Sequence, residues 1–430
     1  MKERGDFLKN FYLCPKLFSC LKGYSKEQAV KDVIAGVIVA IIALPLSIAL
    51  ALASGVEPAC GVYTAIAAGF IVSLLGGSRV QIAGPTAAFA TIVAGVVATN
   101  GMDGLFIATA LAGVILILMG VFKLGSLIRF IPNTITVGFT AGIAVTIFVG
   151  QIKDFLGLVY DGLKPVETLE KLEANVLSIG TFSWQALLIG AVSLLILIVY
   201  PKFEKKIPPS LIAVLVGALL VKFIPALDSG VFTIGELYTI PAGLPKIDLA
   251  TYDFSVDKIL AVLPSAFTIA LLAGIESLLS CVVADGMINS KHNSNAELVA
   301  QGVANIGSVL FGGIPATGAI ARTAANIKNG GRTPVSGMVH ALVLFLVLIF
   351  LMPLASLIPM PTIAAILFMV AFNMSEYKKF YKMVKTEKWY NILVLVLTFA
   401  LTVIFDLVVA IIVGLVLHLA FKLILKGKKA

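Results

Sequence analysis

Charge is scarce in this chain: 13% of its residues are Asp, Glu, Lys or Arg, against 59% hydrophobic. The mean hydropathy is +1.05. A water-soluble chain of 430 residues with that balance would expose large apolar patches, so a soluble fold is excluded. Cysteine and histidine are sparse too. Cys14, Cys20, Cys60 and Cys281 show no paired framework or ligand spacing, and His292, His340 and His418 lie far apart, so we expect no disulfide scaffold, metal or other cofactor. An HExxH run and a GxSxG elbow are both missing, which argues against a membrane-embedded enzyme. The basic first thirty residues hold no cleavable apolar segment.

What the chain has is apolar runs. A bilayer core takes roughly 20 apolar residues per helical crossing, and such runs recur from Val30 to Leu423. We read fourteen spans, at 30–53, 60–76, 79–99, 103–122, 127–150, 182–200 and 208–224, then 258–283, 294–311, 313–328, 333–352, 355–373, 389–405 and 407–426. The fold class is therefore an all-α polytopic membrane protein. An even count puts both termini on one side, and the net charge of +9 is distributed accordingly. Arg129, Lys205, Lys206, the lysines from Lys378 to Lys388, and Lys428 and Lys429 fall in connections on that side, which the positive-inside rule makes cytoplasmic. Glu57, Asp103, Asp406 and the acid-rich loops 151–181 and 225–257, with Asp248 among their acids, fall on the other. Such a pattern marks topology and gives no reason to expect nucleic acid. Residues 1–29, with Phe11, Tyr12, Leu17 and Phe18 among lysines, read as an amphipathic segment on the cytoplasmic membrane surface, and 427–430 as a cytoplasmic tail.

The extracellular loop 225–257 separates two groups of seven spans, residues 30–224 and 258–426. Halves with an odd number of spans are oppositely oriented if they share a fold, the 7+7 inverted-repeat plan of many secondary transporters. An internal echo agrees with it. Gly76-Gly77 precedes Thr86-Ala87-Ala88 in the third span, and Gly312-Gly313 precedes Thr323-Ala324-Ala325 in the tenth. Ordinary small-residue helix contacts would account for the same match.

The third and tenth spans are broken helices. Gly84-Pro85 interrupts one, so an extended piece should lead into a helix starting near Pro85; Gly312 to Gly318 does the same in the other, with a helix from near Gly318. Non-helical backbone at membrane depth survives only beside protein or a wet cavity. Two helix starts facing such a cavity offer free N–H groups and positive dipole ends to a negative charge. The candidate substrate site is Gly84, Pro85, Thr86 and Ala87 with Gly318, Ala319, Ile320, Ala321 and Arg322, and Pro45 and Ser47 of the first span are candidate cavity wall. Arg322 could hold a carboxylate or sulfate through paired N–H bonds; the competing reading is an arginine paired with an acid or snorkelling to the cytoplasm. Glu276, with apolar residues on both sides, and Ser280 one turn on are candidates for proton coupling. Bracing of the unwound tenth segment is the alternative role for Glu276. Pro45 reads equally as a kink that serves helix contacts.

The motifs Asp32-Val33-Ile34-Ala35-Gly36, Ala43-Leu44-Pro45-Leu46-Ser47, Gly84-Pro85-Thr86-Ala87-Ala88, Gln151-Ile152-Lys153-Asp154-Phe155-Leu156-Gly157, Glu276-Ser277-Leu278-Leu279 and Ile320-Ala321-Arg322-Thr323-Ala324-Ala325-Asn326 run in order along the chain. Together they resemble the SulP (sulfate permease) family of anion transporters, over residues 31 to about 425. The resemblance implies a core domain (spans 1–4 and 8–11) moving against a gate domain (5–7 and 12–14) in an elevator-like cycle, with substrate between spans 3 and 10, and a homodimer. Asn305, Asn326 and Asn373-Met374-Ser375-Glu376 are similar to bacterial members that import C4-dicarboxylates with protons, which implies a bacterial plasma membrane. Sodium-dependent bicarbonate members typically carry Asp, Thr and a hydroxyl residue where this chain has Glu276, Ser280 and Ile320, so the coupling ion expected here is the proton rather than sodium. Members usually continue into a soluble STAS regulatory domain, and this chain stops at Ala430. The expected function is secondary active, proton-coupled symport of sulfate or a C4-dicarboxylate across the lipid bilayer. A bicarbonate transporter, an anion exchanger or channel, and a nucleobase carrier of the same fold are the alternatives.

Overall fold

The computed structural model describes residues 13–126, 132–162, 165–204, 207–239, 243, 252–405 and 407–427. Phe11, Tyr12, Arg129, Lys205, Lys206, Asp248, Asp406, Lys428 and Lys429, on which parts of the topology reading rest, lie outside the described residues.

Backbone in lipid must satisfy its own hydrogen bonds, so apolar spans fold as helices. The first half gives α1 (Lys26–Ala53), α2 (Pro58–Leu75), strand β1 (Ala83–Gly84), α3 (Ala90–Val121), α4 (Asn133–Leu156), α5 (Trp184–Phe203) and α6 (Pro209–Phe223). In the second half come α7 (Val256–Ile288), α8 (Ser294–Leu310), strand β2 (Thr317–Gly318), α9 (Ile320–Lys328), α10 (Val335–Phe350), α11 (Met360–Met374), α12 (Tyr377–Thr386), α13 (Trp389–Ile404) and α14 (Leu407–Gly427). Gly101, at φ 73 and ψ −173, divides α3 into two helices. Each expected span thus has a counterpart, β1 and β2 being the extended pieces of the third and tenth; α12 is an extra, short helix between spans. By length and composition, seven described helical segments can cross a membrane, accompanied by four shorter apolar helices.

The fifth span departs most from expectation. In place of 127–150, α4 starts after Pro132, which is extended at φ −65 and ψ 139, and stops at Gly157, which is left-handed at φ 65. Gln151, Lys153 and Asp154 belong to its last turns, not to a loop. Both half-helices also start later than expected. The extended backbone runs on through Thr86 (φ −131, ψ 158) to a 3-10 turn at Ala87–Phe89, and through Ala319 (φ −87, ψ 108) to α9. The strand pair described below holds it extended. Near the N-terminus a short helix, Lys16–Cys20, is docked on the protein as well as exposing Phe18: Leu17 and Cys20 are buried, and the Lys16 amide donates to the Gly76 carbonyl at 2.9 Å.

Two bundles result. One groups α1, α2, α3, α7, α8, α9 and α10; the other groups α4, α5, α6, α11, α13 and α14. Buried carboxylates tie the first bundle together, and neither Asp32 nor Glu297 has a salt-bridge partner among the described residues. Asp32 in α1 accepts from Tyr24 Oη (2.9 Å), Gln28 Nε2 (3.0 Å), the Arg332 amide (2.8 Å), and Thr333 Oγ1 (2.6 Å). Glu297 in α8 accepts from the amides of Gly77 (2.9 Å) and Ser78 (3.2 Å), fixing the turn that leads into β1. Bonds of this kind are what make a buried carboxylate tolerable.

Candidate functional site

The two interrupted segments meet. Strands β1 and β2 pair antiparallel, Ala83 opposite Gly318 and Gly84 opposite Thr317, and the Ala319 amide extends the ladder to the Ile82 carbonyl at 2.8 Å. Antiparallel pairing of segments from equivalent places in the two halves is consistent with an inverted repeat.

Side chains from the first bundle satisfy the rest of this exposed backbone. Gln81 Nε2 donates to the Ser277 carbonyl (3.0 Å) and its Oε1 accepts from Ser280 Oγ (2.9 Å). Thr323 Oγ1 accepts from the Ile82 amide (3.0 Å), and Ser277 Oγ accepts from the Gly318 amide (3.0 Å). Asn305 brackets Ala316, its Oδ1 accepting from the amide at 2.9 Å and its Nδ2 donating to the carbonyl at 2.9 Å. A Cβ on Gly318 would lie 1.7 Å from Gln81 Nε2, so a side chain there would displace the Gln81 amide from these bonds.

Both helix starts open into one cavity of about 380 Å³. Pro85, Thr86, Ala87 and Ala88 line it from one half, Gly318 to Arg322 from the other, and Glu276 from α7. Neither the turn at Ala87 nor α9 has a side-chain cap, so first-turn amides of both are left to whatever occupies the cavity. Arg322 is 2% exposed. Its Nη2 donates to the Pro85 carbonyl, while Nε and Nη1 have no hydrogen-bond partner and no carboxylate pairs with it among the described residues. The alternative of an arginine paired with an acid is therefore not what the structure holds. Glu276 Oε2 accepts from Thr86 Oγ1 at 3.0 Å. A buried guanidinium with spare donors, flanked by two uncapped helix starts, is chemically a receptor for an anion.

Comparison with known proteins agrees with that chemistry. A sequence model of the Sulfate permease family matches residues 30–398. The chain belongs to the sulfate permease family. YvdB of Bacillus subtilis (strain 168), a protein named for sulfate transport, is 47% identical over 93% of this chain and 74% of its own length. The bicarbonate transporter BicA of Picosynechococcus sp. is 34% identical over 89% of this chain and 68% of its own. Among solved structures, the transmembrane domain of a cyanobacterial bicarbonate transporter BicA superposes with a TM-score of 0.80 at 30% identity, covering 90% of this chain and 98% of that one. The chain is thus a membrane anion transporter of the sulfate permease family and not an enzyme.

Within this family member, Pro85, Thr86, Ala87 and Gly318 to Arg322 lie where the sequence places them, in the cavity wall with Glu276. Four other candidates sit off the wall. Gly84 backs onto Arg322, where a Cβ would meet Nη1 at 2.6 Å. Pro45 and Ser47 are buried within α1, and the cavity face of that helix is formed by Leu46 and Leu50, one turn apart. Ser280 is spent on Gln81 and Thr323 behind the strands. Missing from the sequence reading were Gln81, whose clamp shows only in three dimensions, and the opposite wall, where α4 supplies Thr140 and α11 supplies Val370, with Asn373 and Met374 at its end and Glu376 beyond. Asn373, Met374 and Glu376 stand out in the sequence only through the family resemblance.

Proposed function

We propose that this transporter carries a small anion, sulfate or a C4-dicarboxylate, in symport with protons across a bacterial plasma membrane, with both termini cytoplasmic. The observation that carries the reading is Arg322: buried, with two guanidinium nitrogens free, beside two uncapped helix starts in a cavity shared with Glu276. The similarity to YvdB supports sulfate. Glu276 supplies the coupling. A doubly charged anion and the Glu276 carboxylate in one cavity at membrane depth repel strongly, and a proton on Glu276 removes the carboxylate's charge when the anion enters. Ser280, tied to Gln81 and Thr323 and so turned from the cavity, supports a proton rather than a sodium ion as the coupling ion.

Movement follows an elevator course in this reading. The cavity lies between the bundles, with Arg322, Glu276 and both helix starts on the one holding β1 and β2 and its opposite wall on the other, so the first bundle carries the site as a core past a gate. A homodimer is the expected assembly. The 34% identity to BicA favours a second reading, bicarbonate as the substrate. A nucleobase would leave the charge of Arg322 unanswered.

Uptake of labelled sulfate, succinate and bicarbonate into proteoliposomes, with and without an inward proton gradient and with sodium exchanged for potassium, tests the proposal. Gradient-stimulated, sodium-independent uptake of sulfate or succinate is the expected result. Glu276→Gln should retain anion binding and lose the response to the gradient; a variant with wild-type gradient stimulation would refute the role of Glu276.

A further inference from the structure

Helix α12 has no part in the transport reading, yet it is rich in lysines and aromatic rings: Tyr377-Lys378-Lys379-Phe380-Tyr381-Lys382-Met383-Val384-Lys385-Thr386. Phe380 and Met383 turn inward onto Val137 and Leu395. The opposite face carries Lys378, Lys382 and Lys385 at i, i+4 and i+7, with Tyr381 among them. Lys379 is paired with Glu376 at 2.9 Å, whereas these three lysines have no carboxylate partner among the described residues. Lys385 Nζ stands 4.3 Å from the Tyr381 ring centroid and Lys378 Nζ 5.8 Å from that of Tyr377.

Position decides what such a face meets. Residues 375–376 join α12 to α11, and 387–388 join it to α13. Two-residue links hold each end of α12 within about 11 Å of a span's end, which is headgroup depth. Tyr377 is 51% exposed, Tyr381 60% and Trp389 66%, and exposed rings of this kind beside lysines are what a membrane interface selects. A face of three free ammonium groups and rings, held at that depth, complements a phosphodiester headgroup.

We infer that the Lys378, Lys382 and Lys385 face of α12 is a docking site for anionic phospholipid headgroups. The bound lipid stands beside the cavity, because Glu376, which caps α12 in a left-handed conformation at φ 41, also lines the cavity wall. On the transport reading above, lipid on this face steadies that wall and supports flux.

The chain has two tryptophans, Trp184 and Trp389, and Trp184→Phe leaves Trp389 as a reporter beside the site. In vesicles of equimolar phosphatidylcholine and phosphatidylglycerol, Trp389 emission is compared when one lipid or the other carries brominated chains. Brominated phosphatidylglycerol should quench several-fold more effectively, since one lysine near an anionic surface gives roughly a fivefold preference. Lys378→Gln, Lys382→Gln and Lys385→Gln together should make the two quenchers equal. Equal quenching in the parent protein, or a preference that survives the triple substitution, overturns the inference. Loss of the preference on adding inorganic phosphate, with chloride matching ionic strength in the control, would reassign the face to a free anion. These are fluorescence readings and stand whether or not the transport reading holds. Uptake, read separately, should be higher in the mixed vesicles than in phosphatidylcholine alone for the parent and not for the triple variant; lipid preference with unchanged uptake would refute the effect on flux.

Discussion

Replacing Arg322 with Gln keeps an uncharged N–H donor on a shorter side chain and removes the charge. A hydrogen bond to a charged group contributes about 1.5–3 kcal/mol net, and the structure leaves two guanidinium nitrogens free to make one each. Gln can replace one bond in weakened form, so the loss is about 3 kcal/mol. At 1.4 kcal/mol per decade that is about a 100-fold loss of anion affinity. The fold should survive, because removing a buried charge that no carboxylate answers relieves a desolvation cost that offsets the lost bond to the Pro85 carbonyl; the thermal midpoint of the empty protein is expected to hold. Titrating detergent-solubilised protein with sulfate, succinate and bicarbonate while following that midpoint measures affinity through ligand-linked stabilisation. The variant should need about 100-fold more anion for the same shift, with Arg322→Lys in between because it keeps charge without the planar fork. If Arg322→Gln folds and titrates at wild-type concentrations, the anion does not bind the guanidinium and the site reading fails.

Gly318→Ala would drive a Cβ to 1.7 Å from Gln81 Nε2, expelling the amide from its bonds to Ser277 and Ser280. A cost of about 2–4 kcal/mol, seen as a lower thermal midpoint with lost uptake, is expected from overpacking and unpaired buried polar groups. Asp32→Asn removes charge from a carboxylate that accepts bonds from Tyr24, Gln28, Arg332 and Thr333. It should cost about 2–3 kcal/mol of stability while leaving the KM for the anion unchanged, since Asp32 is not in the cavity wall; a raised KM would contradict that separation.

How much of this was legible depends on the kind of signal. Glu276 and Arg322 stood out because charge in an apolar run is expensive, and the two helix breaks because Gly and Pro change what the backbone can do. The pairing of those breaks was not legible. The echo of Gly-Gly with Thr-Ala-Ala suggested that Thr86 and Thr323 correspond, yet the strand register shows otherwise. Thr86 lies two residues beyond Gly84, whereas Thr323 lies five beyond Gly318. Accordingly Thr86 reaches into the cavity to Glu276, and Thr323 caps the Ile82 amide behind the strands. That Leu46, Leu50, Val370 and Met374 face the cavity was not legible for another reason. An apolar side chain in a span reads the same whether it faces lipid, a neighbouring helix or a cavity.

The separate construction of the two cavity walls bears on how the site could move. Hydrogen bonds from Gln81, Ser277, Asn305 and Thr323, together with Arg322 on the Pro85 carbonyl, bind β1, β2 and the helix starts into one unit within one bundle. That unit would hold an anion through its own donors, while the other wall presents the hydrocarbon and thioether of Val370 and Met374 beside the uncharged polar groups of Thr140 and Asn373, with Glu376 beyond them. Sliding one wall past the other would then leave the binding geometry intact while changing which side of the membrane the cavity faces. The proton has its place in the same argument. With a dianion such as sulfate bound, Arg322 and a charged Glu276 would together leave two net negative charges on the moving unit; protonating Glu276 frees the arginine for the anion and leaves one.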